Sequence, residues 1–171
     1  ADEIVQIDGY RFDSADVDSI QIGVQSNVIN LYYAKRTDLS YTVHYLEQGT
    51  DAVLATAKTV RDQTYQAEVA EEAIEVEGYV LRSPEAINFV IDTGENEVTF
   101  YYAKRTDLTY TVSYLEQDTD EVLAETKVVN GQTFQADVVE TAASINVYNV
   151  VGSGEAIITI GVQGNDITFY Y

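Results

Sequence analysis

Hydrophobic and polar residues alternate with a period of two along much of the chain. "LSYTVHYL" sets Leu39, Tyr41, Val43 and Tyr45 against Ser40, Thr42 and His44, and "NEVTFYY" sets Val98, Phe100 and Tyr102 against Thr99 and Tyr101. Successive side chains of an extended strand point to opposite faces, so each run predicts a strand with one buried face. Between them, "VLATAKTV", "GYVL" and "INFVI" are short apolar-rich runs separated by the turn-forming "QGTD", "RSPE" and "TGEN", and they predict further strands. One stretch breaks the period. In "QAEVAEEAI" and "QADVVETAA" apolar residues recur four positions apart, as at Val69 and Ala73 or Ala70 and Ile74, with Thr64 or Thr133 upstream as caps and no Gly or Pro to interrupt. That spacing predicts a short helix. The expected fold is therefore α+β, mostly β: tandem units, each a small mixed sheet crossed by one short helix, in the order of a β-grasp or ubiquitin-like domain.

The pattern recurs at a fixed distance. "YYAKRTDLSYTV" begins at Tyr32, "YYAKRTDLTYTV" at Tyr101, and "YY" returns at Tyr170 and Tyr171, 69 positions on each time from 32 to 101 to 170. Residues 34–102 laid over 103–171 without gaps are identical at roughly half of the positions, a register that marks an internal repeat. Residues 1–33 align with 70–102, which brings Tyr10 onto Tyr79, Ile22 onto Ile91, Asn27 onto Asn96 and Tyr33 onto Tyr102. A boundary after Val69 or Val138 would cut the expected helix, whereas "AKRTD" is a short polar stretch between two strands. Cutting there predicts residues 1–33 as the back half of a truncated repeat, 34–102 as one full repeat and 103–171 as a second, in a segment of a longer array. The half repeat lacks its opening hairpin, so an unpaired sheet edge is expected there, mobile or completed by strand pairing with another molecule through residues 1–33. One matched position departs from the pattern: Gly9 and Gly78 precede their tyrosines, but Val147 precedes Tyr148. Glycine at such a turn serves a positive φ, so Val147 predicts either a different local backbone or a tolerated strain.

The combination "YTVHYLEQGTDAVLATAKTV", "QTYQAEVAEEAIEVEGYVL" and "ENEVTFYY" resembles the MucBP (mucin-binding protein) repeat family of bacterial surface adhesins. The resemblance covers both full units and, through "IDGYRFDS" and "SNVINLYY", the half unit. It implies the β-grasp expectation above, an extracellular place on a cell surface or cell wall, and adhesion to mucin or other host glycoprotein glycans, weak per unit and strengthened by repetition. The alternative is a structural stalk that projects a separate binding domain from the cell wall.

Composition narrows the chemistry. With 46% apolar and 11% aromatic residues the chain has enough to build folded cores. A net charge of −20 repels phosphate backbones and anionic lipid, so neither nucleic acid nor direct membrane contact is expected. No apolar run approaches the roughly 18 residues needed to cross a bilayer, and anchoring signals are expected outside this stretch. The absence of cysteine removes disulfides, thiol catalysis and cysteine-ligated zinc together. Single cores below about 80 residues yield little net stability, so contact between neighbouring units is the expected remedy.

Candidate active groups are few. His44 is the only histidine and its counterpart is Ser113, which argues for an exposed strand position rather than a general base. Paired carboxylates such as Glu71 and Glu72 lack an apolar pocket that would separate their pKa values, so no enzyme and no cofactor are expected. Asp13, Asp16 and Asp18, and likewise Asp118, Asp120 and Glu121, are dense in oxygen but lack the glycine of a calcium loop, and read as solvated acidic turns. Lys58 and Lys127 match between units, as do Asn27, Asn96 and Asn165. A lysine–asparagine cross-link is the sharp reading of that match, and edge charges with turn-forming asparagines the bland one, which is preferred. Tyr32, Tyr101 and Tyr170 are the outward members of the three pairs. They are candidates for stacking on a sugar face or, preferably, for contact with an adjoining domain.

Overall fold

The computed structural model describes residues 4–25 and 27–171; residues 1–3 and Ser26 of the expected half repeat lie outside the described residues. Among the described residues thirteen strands follow one another: β1 (Tyr10–Ala15), β2 (Leu31–Lys35), β3 (Leu39–Glu47), β4 (Val53–Gln63), β5 (Glu68–Glu72), β6 (Tyr79–Leu81), β7 (Ala86–Val90), β8 (Glu97–Lys104), β9 (Leu108–Leu115), β10 (Val122–Gln132), β11 (Asp137–Thr141), β12 (Glu155–Thr159) and β13 (Asp166–Tyr170). No helix occurs among them. By contact the chain falls into two compact units, one of residues up to Leu46 with Thr50–Ile74 and Ser83–Tyr101, the other of Glu47–Gly49, Glu75–Arg82 and Tyr102–Tyr171.

This corrects the expected α+β class: the protein is all-β, and the segment expected to be helical is a strand in both copies. β5 pairs antiparallel with β7, from Glu68 opposite Val90 to Glu72 opposite Ala86, and β11 pairs with β12 from Asp137 opposite Thr159 to Thr141 opposite Glu155. The reason lies at Glu71 and Glu140. Each is the buried position of its strand, 5% and 7% exposed, so the inward face reads Val69, Glu71 in one copy and Val138, Glu140 in the other. A carboxylate at a buried position hid the period of two, and the remaining apolar residues fell by chance into helical spacing. Upstream, Gln66 and Gln135 have φ of 60° and 61°, a left-handed turn in both copies that leads into the strand.

The other expected strands form where the alternation places them. In the first unit β3 lies between β4 and β8, and Leu39, Tyr41, Val43 and Tyr45 of β3 pack their buried faces with Val98 and Phe100 of β8 and with Ile91. The Tyr45 and Phe100 rings stack at 6.2 Å, and Phe89 on β7 meets Tyr41 edge-on at 5.2 Å. The second unit repeats this core with Leu108, Tyr110, Val112, Tyr114, Ile160, Ile167, Phe169 and Tyr171. There β9 lies between β10 and β13, and β13 runs parallel to β9 from Asp166 opposite Thr111 to Tyr170 opposite Leu115. β6 pairs antiparallel with the end of β8, Tyr79 opposite Lys104 and Leu81 opposite Tyr102. β1 pairs in the same way with β2, Tyr10 opposite Lys35.

Candidate functional site

Three features recur at matched positions. The first is a buried carboxylate that ties two sheets together. In the first unit the Tyr41 hydroxyl of β3 donates to Glu71 Oε1 at 3.1 Å, and Lys58 Nζ of β4 donates to both Glu71 oxygens, to Oε2 at 2.9 Å. In the second unit the Tyr110 hydroxyl and Lys127 Nζ both donate to Glu140 Oε1, the lysine at 2.5 Å. The lysine stems lie partly in solvent, 50% and 45% exposed, while the carboxylates are enclosed. A buried carboxylate is tolerated only when charge and hydrogen bonds satisfy it, and here a cation and a phenol do so.

The electrostatics agree. The hydrogen bonds from Lys127 and then Tyr110 hold the Glu140 carboxyl below its usual range, and the bond to Glu140 raises Lys127. Burial, then the hydrogen bond to the carboxylate, raises the Tyr41 and Tyr110 phenols. The arrangement keeps lysine charged and tyrosine protonated, which suits a structural clasp. The sharp reading of the lysines, a cross-link to asparagine, is not what the geometry brings together: Lys58 and Lys127 meet glutamates. The asparagines close loops. Asn96 Oδ1 accepts from Asp92 N at 2.8 Å, and Asn165 Oδ1 from Gly161 N at 2.7 Å; their amides reach across to Ser40 O and Thr109 O, both at 3.1 Å.

The second feature is the turn before Tyr10, Tyr79 and Tyr148. Tyr10 N donates to Ile7 O at 3.0 Å, Tyr79 N to Val76 O at 3.1 Å and Tyr148 N to Ile145 O at 3.2 Å, and the residue before each has positive φ: Gly9 77°, Gly78 79° and Val147 64°. Of the two expectations for Val147, the strained one holds: the turn is kept. An aromatic ring lies on each glycine turn. Tyr65 meets Tyr10 edge-on at 5.7 Å, and Phe134 meets Tyr79 likewise at 5.7 Å. The backbone repeats too, with Arg36 N on Gly9 O and Tyr65 N on Arg36 O, then Arg105 N on Gly78 O and Phe134 N on Arg105 O, all at 2.9 Å. Arg36 and Arg105 each grip the aspartate two residues on, Asp38 and Asp107, with two nitrogens, and these bonds lower both carboxyls.

The third feature is the set of outward tyrosines. Tyr32, Tyr101 and Tyr170 are 52%, 36% and 40% exposed on β2, β8 and β13, and none has an aromatic partner among the described residues. Tyr101 N donates to Ser83 Oγ at 2.8 Å, and Tyr170 O accepts from Val151 N at 2.7 Å, so their backbones are fixed while their rings face out. His44 is half-buried and lies 3.7 Å from Glu97 Oε1. Asp16 is held by the backbone and side-chain amides of Asn30, at 3.0 and 2.7 Å, which lower its pKa. Among the described residues no cluster of three or more metal-ligating side chains forms. Sequence reasoning set Glu71 aside as one of a carboxylate pair and missed Glu140, Tyr65 and Phe134, although each recurs or is matched in kind at the same place in both copies.

No protein-family model matches the chain, and no curated protein matches it. Among solved structures it is similar to the crystal structure of Mub-RV, with 13% identity over 77% of this chain and 97% of that one at a TM-score of 0.27. It is also similar to the Streptococcal High Identity Repeats in Tandem (SHIRT) domains 3-4 from cell surface protein, with 10% identity over 76% and 95% at a TM-score of 0.31. At these TM-scores neither likeness carries an argument about architecture or activity.

Proposed function

We propose that the chain is the repeat region of a cell-surface adhesin that binds mucin or other host glycoproteins, weakly at each unit and with avidity from repetition. Its units are then 1–33, the C-terminal half of a truncated repeat, and the full repeats 34–102 and 103–171, displayed outside the cell. The observation that carries the reading is repetition itself: β9 to β13 reproduce the places of β3, β4, β5, β7 and β8, with the outward tyrosine at the same point of each closing strand. Linked weak sites gain affinity because later contacts become intramolecular. The likeness of "YTVHYLEQ" and "NEVTFYY" to mucin-binding repeats supports the choice of ligand class.

The stalk reading is favoured by one observation, the net charge of −20, since sialylated or sulfated mucins are themselves anionic and long-range attraction is absent. Binding of the chain to immobilised mucin, against the same chain in tandem duplicate, decides between them. Adhesion predicts measurable binding that steepens with copy number; no binding of either form supports the stalk. Tyr101→Ala then assigns the outward ring. Weaker binding at unchanged melting temperature marks sugar stacking, and a lower melting temperature with binding retained marks a contact between repeats.

A further inference from the structure

Gly9 and Gly78 are places where a side chain is excluded by an aromatic ring. A Cβ on Gly9 would stand 2.5 Å from Tyr65 Cζ and one on Gly78 2.5 Å from Phe134 Cζ, far inside van der Waals contact, with the nearer ring carbons closer still. The third copy of the turn keeps the left-handed backbone but carries Val147, 89% exposed. A β-branched residue at positive φ is an outlier that strains the backbone and persists for a reason outside it. Among the described residues no aromatic ring pairs with Tyr148, as Tyr65 and Phe134 pair with Tyr10 and Tyr79.

We propose that the Gly–Tyr turn is a docking seat for the aromatic residue of the Gln-Thr-Tyr/Phe-Gln turn of the succeeding repeat, and that Val147 shuts the third seat. The seat has three parts: bare glycine for ring contact, the tyrosine edge beside it, and the glycine carbonyl that accepts the arginine amide. Tyr65 occupies the first seat and Phe134 the second. The third offers the tyrosine and the carbonyl but fills the ring's place with isopropyl. A ring presented in this way by a repeat joined after residue 171 is therefore refused. The proposal rests on the tandem-repeat reading but not on mucin binding, and its test leaves mucin out.

The test is amide hydrogen exchange on the whole chain, read at Arg105 and Phe134 for the seat and at Val112 for the fold. Gly78→Val should speed exchange at Arg105 and Phe134 at least about tenfold, the factor that matches a lost aromatic contact, with Val112 unchanged. Phe134→Ala should have the same effect in the parent and little further effect in Gly78→Val. The second arm extends the intact chain by a further copy of residues 103–171. With Val147 the added copy's arginine and phenylalanine amides exchange freely, and Val147→Gly protects them at least about tenfold. Because that arm reads a gain, a folding failure of Gly78→Val cannot imitate it. Equal protection of the added copy in the extended parent and in its Val147→Gly variant overturns the proposal, as does unchanged exchange at Arg105 in Gly78→Val.

Discussion

Residues 4–33 and 73–102 share one sequence pattern and end in different states. Ile22 is 81% exposed where its counterparts Ile91 and Ile160 are fully buried; Ile29 is 41% exposed against 4% for Val98 and Ile167; Leu31 is 41% exposed against 0% for Phe100. Yet part of the local geometry is shared, although the counterpart of β7, residues 17–21, forms no strand. The Gly9 turn, the β1–β2 pairing and the Asn27 loop all form, the last with Gly23 N donating to Asn27 Oδ1 and Asn27 Nδ2 to Gly23 O, each at 2.8 Å. Among the described residues β1 and β2 form a sheet of two strands, with none in the places that β3, β5 and β7 take in and beside the second region. Turn chemistry is contained in a few neighbouring residues, whereas burial requires an opposing face from elsewhere in the chain. Period-two alternation therefore predicts which side chains point inward but cannot supply the inside.

The difference can be sharpened by matched substitutions, read by denaturant unfolding. Phe100→Ala removes a fully enclosed ring and should cost about 3–5 kcal/mol, against under about 1 kcal/mol for Leu31→Ala on the open face. Equal costs would break the comparison. Next is the carboxylate clasp, whose tyrosine and lysine come from β9 and β10, strands with no counterpart beside β1 and β2 among the described residues. Glu140→Ala should cost about 1–3 kcal/mol, the range for a buried hydrogen-bonded group whose partners can rehydrate in part.

The clasp also sets a pH window. The folded-state pKa of Glu140 is lowered from 4.5, so its contribution is present above that value and is lost as pH falls through the folded value. Tyr110 and Lys127 are raised from 10.0 and 10.5, so theirs are present below those values and lost as pH climbs through the raised ones. Stability of the second unit should be flat between these limits, and Glu140→Gln should flatten its acid limb. An acid limb identical in the variant and the parent would remove the clasp from the account.

Asn96→Ala breaks both the loop and the reach to Ser40 O, and should cost about 1–2 kcal/mol; Asn27→Ala breaks the loop alone and should cost roughly half as much. The smallest effect belongs to His44→Ser, which converts the position to the residue already present at Ser113. A partly exposed pair such as His44–Glu97 is worth less than about 1 kcal/mol, so the melting temperature should barely move.

Much of this framework was legible in the chain. Leu39, Tyr41, Val43 and Tyr45 alternate as read, and all are buried; Val98, Phe100 and Tyr102 likewise. The lost element was β5, because the rule that charged residues face outward fails at Glu71, where Lys58 and Tyr41 supply what solvent would have supplied. The matched pairs Lys58–Glu71 and Lys127–Glu140 were visible in the repeat alignment, but sequence alone does not say that a lysine on one strand reaches a glutamate 13 residues on across two sheets. The aromatic seat is half visible in the sequence: the change from glycine to Val147 bears on the backbone alone, and the ring that gives it meaning lies 56 residues away, from Gly78 to Phe134. Contacts at that range are decided by folding, not by local pattern.

The central claim is that a core exists only where β3 meets β8 and β9 meets β13, and amide exchange at three matched isoleucines tests it most directly. Ile91 N donates to Ala67 O and Ile160 N to Ala136 O, both at 2.9 Å, in the folded units, and Ile22 has no such bond among the described residues. Ile91 and Ile160 should exchange at least about a thousandfold more slowly than Ile22, the factor that corresponds to about 4 kcal/mol of local stability. Slow exchange of Ile22 at the rate of its counterparts, in the monomeric chain, would contradict the account.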